Sequence, residues 1–189
     1  MPTFFKLLFL VALAYTGLVE CELNSVLEGW LNDQINLEYQ AFYFYEYLAA
    51  YFSRFDKALF GFSAYFKKAA SEERHHAHKF IELINKLQGN FKLKSIKIEN
   101  ERLNNLTALD ALRMAEEKEK GIAIAFQNIY KLACDDNEFY IQQQLDHFVK
   151  EQVEAINNLK TLKTRLNKTD AAVEFLLDQE LRNSPSMHE

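Results

Sequence analysis

Glu73 and His76 stand three residues apart, a spacing that puts both side chains on one face of a helix. A carboxylate and an imidazole held together offer oxygen and nitrogen donors to one cation, a set that suits iron or manganese and accepts zinc. Glu38, Glu119 and Gln152 are polar residues that interrupt apolar patterns elsewhere in the chain in the same way. Tyr45 lies seven residues after Glu38, on the same helical face. A buried ionised carboxylate without a partner is costly. Three that converge also repel one another and cannot all stay ionised. A divalent or trivalent cation bound between them resolves both difficulties.

Four long segments must position these residues. The first carries Leu27, Leu31, Gln34, Glu38, Ala41, Tyr45, Leu48 and Phe52. The second carries Phe62, Phe66, Ala69, Glu73, His76, Phe80, Leu83 and Leu87. The third carries Ala108, Leu112, Ala115, Glu119, Ile122, Phe126, Ile129 and Ala133, and the fourth Ile141, Leu145, Phe148, Gln152, Ala155, Leu159, Leu162 and Leu166. Spacing alternates between three and four throughout, the seam of a helix packed nearly along its neighbours. The short link at Ser53–Lys57 and the turn at Asp135–Asn137 make two antiparallel hairpins. A long connection, Gln88–Leu106, joins them, with Gly89 as the expected helix stop. The fold class is therefore all-α, an antiparallel four-helix bundle with one long crossover. A turn at Asn167–Asp170 precedes a short fifth helix, Ala171–Leu181, whose Val173, Leu176 and Leu177 are apolar enough to dock.

Composition agrees. Of 189 residues 49% are hydrophobic, with 16 Phe and 9 Tyr, ample for one core. The two prolines, Pro2 and Pro185, leave the long interior uninterrupted. A net charge of -5 gives no electrostatic support to general nucleic-acid binding. At the N-terminus Lys6 precedes the apolar run Leu7–Tyr15, which is too short to span a bilayer and reads as a secretory signal over residues 1–21, cleaved after Gly17 or Cys21. No later apolar run has spanning length, so neither a membrane nor a nucleic acid is an expected partner. Two sequons, Asn105-Leu106-Thr107 and Asn167-Lys168-Thr169, fit a secreted glycoprotein. Cys134 is left unpaired if Cys21 departs with the signal, and the two can bridge if it stays.

The plainer reading of any one Glu is a solvated helix face, because Glu is rarely fully buried. Four segments interrupted at comparable depth, with Glu73-x-x-His76 among them, favour a shared polar layer; this spacing is the helical motif of di-iron carboxylate bundles. The layer is asymmetric. One metal position has Glu38, Glu73 and His76; the other has Glu119, alone or with a shared Glu73. Gln152 either supports a ligand or ligates weakly, and Tyr45 is either a core aromatic or a hydrogen-bond donor to a ligand.

At these residues the chain resembles the ferritin family. The resemblance runs from about Leu31 to Leu181 and is densest at Gln34-Ile35-Asn36-Leu37-Glu38, Ser71-Glu72-Glu73-Arg74-His75-His76-Ala77, Tyr130-Lys131-Leu132-Ala133 and Glu151-Gln152-Val153-Glu154-Ala155-Ile156. It implies a ferritin-like di-iron domain over residues 22–189, a hollow 24-subunit shell, homo- or hetero-oligomeric, that stores ferric oxyhydroxide, and a fifth helix at the four-fold axes. Glu38, Tyr45, Glu73, His76, Glu119 and Gln152 match the set of ferroxidase-active, heavy-type subunits, which light-type subunits lose in part. The implied reaction is oxidation of two Fe(II) by dioxygen, with release of Fe(III) to the cavity.

Two departures from the family pattern stand out. The inward nucleation carboxylates map to Glu72, His75 and His78, of which only Glu72 is acidic. The acidic pair of the three-fold entry channel maps to Gln142 and Leu145; Asp146 is adjacent but turned about 100° around the helix. Such a chain has weaker nucleation and another iron entry, or co-assembles with a partner subunit for storage or transport. The alternative from another class is a secreted helical-bundle signalling protein. Its usual topology has two long crossovers, and it has no reason to bury Glu38, Glu73, His76 and Glu119 together. Neither the third nor the fourth segment carries a second Glu-x-x-His, which other di-iron enzymes would be expected to have.

Overall fold

The computed structural model describes residues 23–97, 105–167 and 171–183. Five helices follow in order: α1 (Ser25–Phe52), α2 (Phe60–Lys86), α3 (Ala108–Asp135), α4 (Phe139–Leu166) and α5 (Ala171–Asn183). The expected all-α bundle with one crossover and a short fifth helix is the fold found. The signal, Cys21, residues 168 and 169 of the second sequon and most of the turn before the fifth helix, 168–170, lie outside the described residues.

Helix starts follow local chemistry. Asn24 caps α1 by accepting from the Val26 N–H at 2.8 Å. Thr107 and Asp110 form a reciprocal capping box at α3. Leu59, before α2, has no side chain able to cap. Asp178 of α5 takes that part from a distance, accepting from the Phe62 N–H at 3.0 Å. Gly61 makes the approach possible, since a Cβ there would lie 1.8 Å from the Asp178 carbonyl oxygen.

The end of α2 differs from expectation. The left-handed residue is Gln88, with φ 59°, and Gly89 follows it, donating to the Ile84 carbonyl at 2.9 Å. This is the Schellman arrangement, one residue earlier than Gly89 itself implied. Gly89 is needed for room instead: a Cβ would meet Leu23 Cδ2 at 2.8 Å.

The seams assemble into one core. Phe52 meets Phe62 and Tyr45 meets Phe66, so α1 and α2 run antiparallel. Phe126 meets Phe148, and Lys163 reaches back to Glu116, so α3 and α4 do the same. Every apolar seam residue of α1 and α3 is buried. Phe80, Phe126 and Phe148 stack together and tie the hairpins to each other. The crossover is pinned to α1 by Asn32, which donates to the Asn90 carbonyl at 3.0 Å and accepts from the Lys92 N–H at 2.7 Å. In α5 it is Leu177 that docks, whereas Leu176 is 64% exposed. Among the described residues no helix is long and apolar enough to cross a membrane.

Candidate metal centre

The polar layer sits midway along the bundle because each seam places its polar residue there. Glu38 on α1, Glu73 on α2, Glu119 on α3 and Gln152 on α4 are all buried. His76 is largely covered, its ring edge-on to Phe148 at 5.4 Å between centroids. The ring of Tyr45 stacks on Phe66, closing one end with apolar surface. All six residues named from the sequence therefore lie in or against one layer.

Their geometry divides them. One ligand atom each from Glu38, Glu73 and His76 lie within 4.8 Å of one another, a spacing a single ion can span. Glu119 stands across from this group and is held by two neutral donors. The Tyr45 hydroxyl donates to its Oε1, while the Gln152 amide donates to its Oε2 and, at 2.9 Å, to its backbone carbonyl. Of the two readings for Tyr45, hydrogen bonding to a carboxylate is the one observed.

The electrostatics describe a site short of positive charge. Burial, then the neighbouring Glu73 carboxylate, raise the Glu38 carboxyl well above its ordinary range. Burial and Glu73 push Glu119 up to about 7 against the opposing hydrogen bonds of Tyr45 and Gln152. Burial, then the Glu119 charge, raise the Tyr45 hydroxyl, so it remains a donor at neutral pH. For His76 burial disfavours the imidazolium, but the carboxylate of Glu73, its Oε2 3.6 Å from Nδ1, and the charge of Glu151 outweigh it and raise the value.

Four buried side-chain oxygens lack a hydrogen-bond partner among the described residues: Gln34 Oε1, Glu38 Oε2, Glu73 Oε2 and Glu151 Oε2. All four gather at this layer. Buried acceptors without donors are uncommon in folded proteins. Those of Glu38 and Glu73 belong to residues that, with His76, could hold a cation.

Two members escaped sequence reasoning. Glu151 Oε2 lies 3.4 Å from His76 Nε2, and its Oε1 lies 3.2 Å from His147 Nε2. The signal was there in His147-x-x-x-Glu151, an adjacent pair on one helix face beside Gln152. Gln34 was read only as a seam position, yet it is fully buried and donates to Glu38 Oε1 at 2.6 Å. The positions that depart from the family pattern behave as their side chains dictate. Glu72, His75 and His78 are exposed. Leu145 is buried, and the Gln142 amide turns back to donate to the Ala133 carbonyl at 3.0 Å.

Comparison with known proteins bears on this layer. The profile of the ferritin-like domain matches residues 29–169. The chain is similar to the middle subunit of ferritin of Salmo salar, 38% identical over 157 residues that cover 80% of this chain and 89% of the relative. It is 34% identical over 161 residues to soma ferritin of Lymnaea stagnalis, covering 84% of this chain and 92% of the relative. Chloroplastic ferritin-4 of Arabidopsis thaliana is 32% identical over 159 residues, 82% of this chain and 61% of that protein.

Proposed function

This chain belongs to the ferritin family, and from that premise we propose that it is a ferroxidase-active, heavy-type subunit of a secreted iron-storing shell. The observation that carries the reading is the convergence of Glu38, Glu73 and His76 ligand atoms within 4.8 Å, with two carboxylate oxygens there unpartnered. Iron is the substrate. Glu38, Glu73 and His76 bind one Fe(II), and Glu119, with Glu73 between the two positions, binds the other. Tyr45 and Gln152 hold Glu119 in place from its far side. Two Fe(II) held close supply two electrons to one dioxygen, which takes two protons from water and leaves as hydrogen peroxide, and the Fe(III) formed leaves for the cavity of an oligomeric shell. The protein's contribution is proximity, ligands and an apolar surround. Secretion rests on Lys6 and the apolar run Leu7–Tyr15, and the exposed Asn105 is a sequon available to a glycan.

A second reading concerns the routes to and from the centre. Gln142 and Leu145 offer no carboxylate at the entry positions, and His75 and His78 replace acids at the nucleation positions. On that reading the subunit oxidises iron but depends on a partner chain for entry or mineral growth.

The test is the rate of Fe(II) oxidation in air by the purified protein. Wild type oxidises Fe(II) faster than buffer alone, and the variant carrying Glu73→Lys and His76→Gly loses most of that excess. An unchanged rate in an assembled double variant removes the assignment.

A further inference from the structure

Gln34 stands one helical turn before Glu38 and faces the same seam. It is fully buried, and its Nε2 donates to Glu38 Oε1 at 2.6 Å. Its own carbonyl oxygen has no hydrogen-bond partner among the described residues. A buried amide half satisfied in this way is costly to the fold, since its own carbonyl oxygen stays unpaired while its one bond is spent on Glu38. The bond it does make has a directional effect. Glu38 has two oxygens; Gln34 occupies Oε1, Oε2 has no partner among the described residues, and one oxygen of this carboxylate lies in the group with Glu73 and His76.

We propose that Gln34 is a positioning residue for iron: its amide holds Glu38 Oε1 so that Oε2 is presented to the Fe(II) shared with Glu73 and His76. This rests on the ferroxidase reading. Without the amide the Glu38 side chain is free to rotate toward Glu73, and ordering it must be done by the metal at the moment of binding. The residue thus serves the iron site through Glu38, and a loss of affinity without a matching loss of stability separates it from a core residue.

The experiment uses the assembled wild-type protein and Gln34→Met, which keeps length and volume but has no donor, with Gln34→Leu as a second variant should Met fail to assemble. Three quantities are read: Fe(II) affinity in an anaerobic calorimetric titration, the Fe(II) concentration giving half the maximal oxidation rate in air, and the melting temperature of the metal-free protein. The expected result is an affinity about tenfold weaker, the scale of a lost hydrogen bond to a charged group. The half-maximal Fe(II) concentration rises in step, while the melting temperature of the metal-free protein changes little, one unpaired amide oxygen being exchanged for one unpaired carboxylate oxygen. Unchanged Fe(II) affinity, with or without a lower melting temperature, overturns the role of Gln34. The two readings fail separately. If wild type shows no Fe(II) binding that Glu73→Lys with His76→Gly abolishes, the ferroxidase reading falls; if it does and Gln34→Met binds equally well, only this inference falls.

Discussion

Protonation of the polar layer governs how it takes up a cation. With Glu119 pushed up to about 7 by burial and by Glu73, its carboxyl is largely protonated in mildly acidic solution. Metal must displace that proton, so Fe(II) uptake by the metal-free protein should release protons below about pH 7 and bind progressively more weakly as pH falls further. The same shift has a stability consequence of definite sign. A carboxyl whose folded value is raised from 4.5 to about 7 contributes no penalty below the unfolded value. As pH rises through that interval the unfolded chain gives up its proton first and the fold loses stability. Glu119→Gln has no such proton to lose. Melting of metal-free protein across this range should therefore show wild type falling relative to Glu119→Gln, with a constant gap above about pH 7. A gap that stays flat between 4.5 and 7 would speak against a strained Glu119. These residues were legible in the sequence because a period of 3.6 assigns every polar interruption to a face. Glu151 was not, since it lies one position off the seam of α4 and meets His76 only through the lateral fit of α2 against α4.

Single contacts between helices decide how firmly the elements hold the layer. Glu116 on α3 is buried and receives Lys120 at 2.7 Å and Lys163 of α4. Those hydrogen bonds, Lys120 first, lower its carboxyl to about 2. Its stabilisation is present above the unfolded value of 4.5 and is lost as pH falls through the interval down to about 2. Glu116→Gln should cost about 1–2 kcal/mol at neutral pH, and urea unfolding at descending pH should show the difference vanish. At the other contact, α5 supplies through Asp178 the cap that Leu59 cannot give α2. Asp178→Ala should cost about 1–2 kcal/mol. Gly61→Val should do more, because no side chain fits against the Asp178 carbonyl, and hydrogen exchange should then report α5 opening ahead of the bundle. Helix number, order and seams were readable from spacing alone. The details at helix ends were not: Gln88 rather than Gly89 takes the left-handed position, and Leu177 rather than Leu176 is covered. The second depends on a neighbour distant in sequence, the start of α2, against which α5 packs.

For the molecule as a whole, the proposal is a shell of such bundles that oxidises iron in each. Under native conditions the protein should elute as a large assembly, and elution near the chain mass of 22.1 kDa would argue against a shell. On the reading that Gln142, Leu145, His75 and His78 stand where relatives carry acids, iron loading is the quantity that should respond most to a partner chain. The central claim, however, is local: iron binds in the one polar layer that the four seams create. The most direct test is anomalous diffraction at the iron edge from crystals soaked in Fe(II) without oxygen. Predicted is an iron peak between Glu38, Glu73 and His76, with a second beside Glu119. Crystals that take up iron elsewhere and show no peak in that layer would contradict the account.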